Sequence, residues 1–285
     1  MMFNQTETED LIERILNGDG KALEDLLKSH QDYIYNLCRS MFLNPMDAED
    51  TTQEILIKTV SSLSKYDKTK ARFSTWLYRI TVNHTLTVKK KMLEELTSDF
   101  ESFGRDLDSM PNSDFQKEEL ERPETKLLIE EAKLGCSMGM LLCLDRDQRI
   151  VFVLGEIMRL RHRAAAEILE ITPDSYRQKL SRARRDLFNF MENRCGLINK
   201  NNICRCEKKT LSFINAGWID RKNLKFADSH LRRIREAAER QECIEDEFSE
   251  KGYDIIYDEN PYYENPKAAL SRILAQLEPE FIKKK

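Results

Sequence analysis

Five cations fall within nine residues in the run Tyr176-Arg177-Gln178-Lys179-Leu180-Ser181-Arg182-Ala183-Arg184-Arg185. On a helix, Arg177, Lys179, Arg182, Arg184 and Arg185 can neutralise phosphates and contact guanine, while Gln178 and Ser181 can read base edges. The same run can also be a solvated face. A second cluster places the charged loop Lys65-Tyr66-Asp67-Lys68-Thr69-Lys70-Ala71-Arg72 directly before Phe73-Ser74-Thr75-Trp76-Leu77-Tyr78-Arg79-Ile80-Thr81-Val82-Asn83. Cations beside aromatic rings suit a separated DNA strand, whose phosphates need charge and whose bases need surfaces to stack on. Phe73, Trp76, Leu77 and Ile80 recur at i, i+3, i+4 and i+7, the spacing of a buried helix face. Tyr78, Arg79, Asn83 and the loop residues Lys68, Thr69, Lys70 and Arg72 are then the candidates for contact. A third cluster, Cys195, Cys204 and Cys206, can supply three thiolates to a tetrahedral zinc ion, with His230, Cys243 or another group entirely as the fourth ligand. Against that, Cys-x-Cys is not the common zinc spacing, and unligated thiols are ordinary.

The elements that must carry these residues are helical. Apolar residues at helical spacing, such as Leu23, Leu26, Leu27 and then Ile34, Leu37, Cys38, predict a bundle of about four helices over 9–92, with Asn44-Pro45 as a break. The third helix is expected near Asp47, where Asp47, Glu49 and Asp50 favour a helix N-terminus. Residues 93–123 lose periodicity and turn acidic, which predicts a flexible linker. A second helical domain, 124–192, contains Ala164-Ala165-Ala166-Glu167-Ile168-Leu169, a turn at Glu170-Ile171-Thr172-Pro173, and a helix from Asp174 to Phe188. Small alanines allow close helix approach, Thr172 can cap, and Pro173 suits the first helical position, so a helix-turn-helix is expected. The remainder, 193–285, is a cysteine-containing, α-rich extension with Trp218 as a core residue and a helix over Ala227–Glu247. The fold class is therefore all-α: two small helical domains, an acidic linker and an extension.

Charge is segregated. Arg159–Arg185 holds eight basic residues against three acidic, Glu94–Glu131 thirteen acidic against four basic, and Glu236–Glu264 eleven acidic against two basic, within a net charge of −4. The polar, acidic start and the absence of long apolar runs predict a cytoplasmic protein without membrane contact.

Two stretches carry a resemblance. Asp47-Ala48-Glu49-Asp50-Thr51-Thr52-Gln53-Glu54 with Phe73 to Asn83 resembles region two of bacterial sigma factors, and Tyr176 to Arg185 resembles the end of sigma region four. In this order, with the extension, the chain resembles a group IV (extracytoplasmic function, ECF) sigma factor of RNA polymerase. The resemblance implies that Asp50, Gln53 and Glu54 bind the β′ clamp helices of core polymerase. It further implies that Lys68, Thr69, Lys70, Arg72, Tyr78, Arg79 and Asn83 melt DNA and hold the minus-ten element as a single strand. Arg177, Gln178, Lys179, Ser181, Arg182, Arg184 and Arg185 would then grip the minus-thirty-five element as duplex. The β flap of the polymerase and an anti-sigma factor are further partners implied. Glu170 departs from the family pattern, which has glycine in the turn; a left-handed backbone there costs Glu roughly 1 kcal/mol more. The extension resembles cysteine-bearing tails of some group IV members, and a metal- or redox-responsive regulator is the expectation for it.

Two other classes compete. A conventional helix-turn-helix regulator would bind duplex sites unaided and would not need the block around Trp76. An enzyme has little support, since no phosphate-binding glycine loop, His-Glu-x-x-His or nucleophile elbow occurs, and no catalytic residue is expected. The reading requires no cofactor; Zn2+ on Cys195, Cys204 and Cys206 is the one that the residues raise.

Overall fold

The computed structural model describes residues 5–88 and 99–227, which divide into two compact units. The first holds residues 5–88 and 161–176, the second 99–160 and 177–227. Among the described residues the regular elements are all helical, apart from one isolated bridge between Cys195 and Cys204.

In the first unit four helices form the expected bundle: α1 Gln5–Leu16, α2 Gly20–Met41, α3 Pro45–Ser62 and α4 Phe73–Thr87. Their starts follow from local chemistry. Asp19 caps α2 by accepting the N–H groups of Lys21 and Ala22 at 3.0 Å, and Asn44 caps α3 by accepting that of Met46 at 3.1 Å. Pro45 occupies the first position of α3, two residues ahead of the expected start, because its missing N–H costs nothing there. The apolar stripes meet in a core of Leu26, Ile34, Leu37, Ile55, Leu56, Phe73 and Leu77. Arg39 is buried, and its guanidinium donates to the carbonyls of Phe42 at 2.8 Å and Leu43 at 3.0 Å, closing the end of α2. The short helix α9, His162–Ile168, packs against α4 within this unit.

The second unit begins inside the stretch expected to be a flexible linker. Phe100–Ser109 forms a helix, α5, and Phe103, Leu107 and Phe115 are buried. The net acidity of 93–123 concealed an amphipathic pattern, with Phe100, Phe103 and Leu107 on one face. Asp99 caps α5 through the Ser102 N–H at 2.7 Å. Further along, Ser113 N–H donates to Lys208 O at 2.8 Å and Lys209 Nζ to Leu107 O at 2.7 Å. The single turn α6, Lys117–Leu120, leads into α7, Pro123–Leu142, then α8, Arg146–Phe152, which continues as a π-helical turn over Val153–Ile157. Arg149 is buried at 1% exposure and bonds the carbonyls of Leu141, Leu142 and Leu144 at 2.9–3.0 Å, so one side chain satisfies the end of α7. The helix α10 runs Pro173–Arg194, and α11, Cys206–Asn215, packs along α7.

Trp218, expected in the core of the extension, is 39% exposed; it stacks on Phe103 and Phe213 at 5.9 and 5.1 Å instead of being enclosed. The extension docks through Glu131 on α7, a buried carboxylate that accepts the consecutive N–H groups of Lys225, Phe226 and Ala227 at 2.8–2.9 Å. The helix expected over Ala227–Glu247, and the acidic stretch after it, fall outside the described residues from 228 onward.

Candidate nucleic-acid interface

The helix-turn-helix forms as the turn chemistry requires. Ala165 and Ala166 are fully buried, Thr172 Oγ1 accepts the Ser175 N–H at 3.2 Å, and Pro173 opens α10. Glu170 adopts the left-handed conformation, φ +55°, that the departure from glycine makes costly.

Along α10, Tyr176, Leu180, Ala183, Leu187 and Met191 are buried, at i, i+4, i+7, i+11 and i+15. The opposite face therefore presents Arg177, Gln178, Ser181, Arg182 and Arg185, all exposed. Two residues expected to contact DNA are spoken for. Lys179 Nζ donates to Asp147 Oδ2 at 2.7 Å, and Arg184 Nε donates to Glu156 Oε1 at 2.9 Å, so both are half-buried and tied to carboxylates of the α8 segment. Their position in the basic run was legible; the acids that claim them lie 28 and 32 residues away in sequence.

In the first unit the loop before α4 is built rather than slack. Asp67 Oδ1 accepts both the N–H and the hydroxyl of Thr69, at 2.9 and 2.6 Å, and Tyr66 Oη donates to Ala71 O at 3.1 Å. Those bonds from Thr69, helped by Lys70, hold the Asp67 carboxyl below its ordinary pKa. Sequence reading passed over Asp67, although Asp-x-Thr is a turn signature. Lys68, Thr69, Lys70 and Arg72 are exposed around this turn, with Lys68 3.3 Å from Glu9 and Lys70 3.5 Å from Asp67. Asn83 is exposed on α4. Tyr78 is a correction: it is buried at 5% exposure and stacked on Tyr33 with centroids 4.2 Å apart, so it belongs to the core. Conversely, Trp76 and Ile80, expected in the buried face beside Phe73 and Leu77, are only partly covered. Arg79 donates to Glu167 O at 3.2 Å and lies 3.8 and 3.7 Å from the carboxylates of Glu167 and Glu170. On α3, Asp50 and Glu54 are exposed and Gln53 half-buried, and Glu54 Oε2 meets His84 Nε2 at 2.9 Å.

Cys195 and Cys204 face each other across their bridge and Cys206 opens α11. Among the described residues no group of three or more His, Cys, Asp or Glu side chains could hold a metal ion. His230 and Cys243, the expected fourth ligands, lie outside the described residues.

Two stretches of the chain match known family models. Residues 26–91 match Sigma-70 region 2, and residues 136–187 match Sigma-70, region 4. The class is thus a Sigma-70-type transcription factor. The chain is 30% identical over 176 residues to the ECF RNA polymerase sigma factor SigW of Bacillus subtilis (strain 168), covering 62% of this chain and 92% of that protein. It is 29% identical over 195 residues to the ECF RNA polymerase sigma-E factor of Escherichia coli (strain K12), covering 67% and 97%. Among solved structures, the sigma factor RpoE in complex with the anti-sigma factor NepR from Bartonella quintana aligns with 19% identity and a TM-score of 0.41, over 60% of this chain and 98% of that one. The chain belongs to the ECF RNA polymerase sigma factors. It is a transcription-initiation factor that binds core RNA polymerase and promoter DNA, and its relatives are initiation factors rather than classical enzymes. No described helix is long and apolar enough to cross a membrane.

Proposed function

We propose that the two units divide promoter recognition between them, the second reading duplex and the first holding a separated strand. The observation that carries this reading is the exposed face of α10, where Arg177, Gln178, Ser181, Arg182 and Arg185 stand opposite a continuous apolar stripe. Such a helix enters the major groove with its apolar side still buried in its own domain. Arg177 and Arg182 take guanine edges, Gln178 and Ser181 read neighbouring bases, and Arg185 meets phosphate, at the minus-thirty-five element. Lys179 and Arg184 orient the helix through Asp147 and Glu156 and are not counted among the readers.

In the first unit, Lys68, Thr69, Lys70 and Arg72 ring a preformed turn, with Asn83 exposed on α4. These residues receive the minus-ten element once it opens. Extruding a base costs a few kcal/mol, and a pocket that holds the base recovers it, so melting is favoured where the sequence fits. This needs no hydrolysis and no catalytic residue. Asp50, Gln53 and Glu54 on α3 form the docking face for the β′ clamp helices, and the protein acts in the cytoplasm with its polymerase.

The test is reconstitution of the full chain with core polymerase on genomic promoter fragments. Stoichiometric association and promoter-specific initiation are expected, with upstream-element choice relaxed in Arg177→Ala and Arg182→Ala. Association without initiation at any promoter, or unchanged choice in both variants, overturns the reading.

A further inference from the structure

Within the second unit, the stretch that leads into α7 is gripped by chain that comes after the recognition helix. Phe103 on α5 is buried and stacks on Trp218, with centroids 5.9 Å apart and planes 8° from parallel. The same ring meets Phe190, near the end of α10, at 5.9 Å, and Phe100 meets Phe190 at 5.3 Å. Gly139 on α7 supplies the room for it, since a Cβ there would stand 2.7 Å from the Phe103 ring. A ring held by Trp218 and Phe190 has little space in which to yield.

Polar contacts secure what the rings begin. Lys209 on α11 is buried, and its ammonium donates to Leu107 O at 2.7 Å and also to Met110 O, so it satisfies carbonyls that the end of α5 leaves open. Ser212 Oγ donates to Pro111 O at 2.6 Å, and the Ser113 N–H donates to Lys208 O at 2.8 Å. Lys208 Nζ lies 3.3 Å from Asp114, and Arg194, the last residue of α10, donates to Gly104 O at 3.2 Å. Every one of these partners falls between residues 190 and 218.

The grip decides how much chain is left to connect the four-helix bundle to the DNA-reading helix. Thr87 ends α4, Asp99 caps α5 and Pro123 opens α7. A connector free from Thr87 to Pro123 reaches about 120 Å when extended, whereas one free only as far as Asp99 reaches about 40 Å. The minus-thirty-five and minus-ten elements are separated by roughly 25 base pairs, or about 85 Å of duplex, which lies between those two lengths. We infer that the segment from Arg194 to Trp218 is a spacing device: by docking residues 99–115 it limits the distance between promoter elements that one protein can engage together. This rests on the division of the two elements proposed above and adds a role for the extension that needs no ligand. A shorter connector raises the effective concentration of one unit at the near element and lowers it at a distant one, so the selection is for close spacing.

The full chain is reconstituted with core polymerase, and initiation is measured on promoters that differ only in the length of the spacer between the two elements. Lys209→Met removes the cap on α5, and Gly139→Ala puts a methyl group where the Phe103 ring lies. Each should raise initiation at spacers longer than the optimum by roughly fivefold or more, with initiation at the best spacer and affinity for upstream duplex unchanged. A flexible Gly-Ser insertion between residues 92 and 93 should do the same while every contact of the dock stays in place, so it answers even where a substitution disturbs folding. Combined with Lys209→Met it should add little, because both act on one length. Hydrogen exchange of the free protein should show faster exchange over Phe100–Ser109 in the two substitutions, and circular dichroism should show their helix content retained. Spacer profiles that coincide with wild type in the insertion and in both substitutions overturn the inference, and initiation at the best spacer then leaves the promoter reading standing. A wild-type protein that initiates at no spacer overturns that reading and this inference with it.

Discussion

The helices α4 and α10 both look like DNA-binding elements in sequence, yet they spend their striking residues in opposite ways. α10 keeps Tyr176, Leu180, Ala183, Leu187 and Met191 inward and turns Arg177, Arg182 and Arg185 out, so its chemistry is on display. α4 turns much of its aromatic character inward: Phe73 and Tyr78 are buried and Tyr78 stacks on Tyr33. Its exposed polar groups sit instead on the turn before α4, at Lys68, Thr69, Lys70 and Arg72, and at Asn83. The lesson is that a cation in a helix advertises its exposure by the cost of burying it, whereas a ring is at home on either side.

The contrast can be broken by mutation, and the largest effect falls on stability. Tyr78→Ala should destabilise the first unit by ~3–5 kcal/mol in urea melts, as loss of a buried ring does, while Arg177→Ala should leave the midpoint within about 0.5 kcal/mol. A Tyr78→Ala protein of normal stability that fails only in promoter opening would return this residue to the DNA surface. Next comes acid. His30 is buried against Phe73, with neither ring nitrogen hydrogen-bonded, and burial pushes its pKa down to about 4. The unfolded chain therefore binds the extra proton first as pH falls. Stability is intact above about pH 6.5 and drops through the window to pH 4, by up to about 3 kcal/mol. Equilibrium unfolding across that range should lose this slope in His30→Phe.

On α10 the effects should appear in binding. Arg177→Ala and Arg182→Ala should each weaken affinity for upstream duplex by ~1–3 kcal/mol, measured by fluorescence anisotropy at fixed salt. Lys179→Ala should do less, since its ammonium is already held by Asp147; an equal loss would show that the pair opens on DNA. Smallest is Glu170→Gly, which removes a left-handed strain and should raise stability by about 1 kcal/mol. A neutral or negative result would mean that the carboxylate near Arg79 matters more than its backbone.

Periodicity made the first bundle and the helix-turn-helix legible, because both rest on local spacing and on caps such as Asn44-Pro45 and Thr172-Pro173. The segment around Phe103 was misread for the opposite reason: its three apolar residues sit among so many acids that composition outweighed pattern, and its partners lie about a hundred residues away at Lys208, Lys209 and Ser212. Long-range pairing hid other roles too. Nothing near Lys179 or Arg184 announces Asp147 or Glu156. Glu131 reads as one more surface acid until the backbone it grips is known.

That grip has a consequence for how the segment is held. Three consecutive amides held by a single carboxylate make a mooring, which fastens the backbone at Lys225, Phe226 and Ala227 to α7. Glu131→Gln weakens all three bonds at once, because a neutral amide oxygen is a poorer acceptor than a carboxylate, so the segment that ends at Ala227 should come away from α7 as a unit.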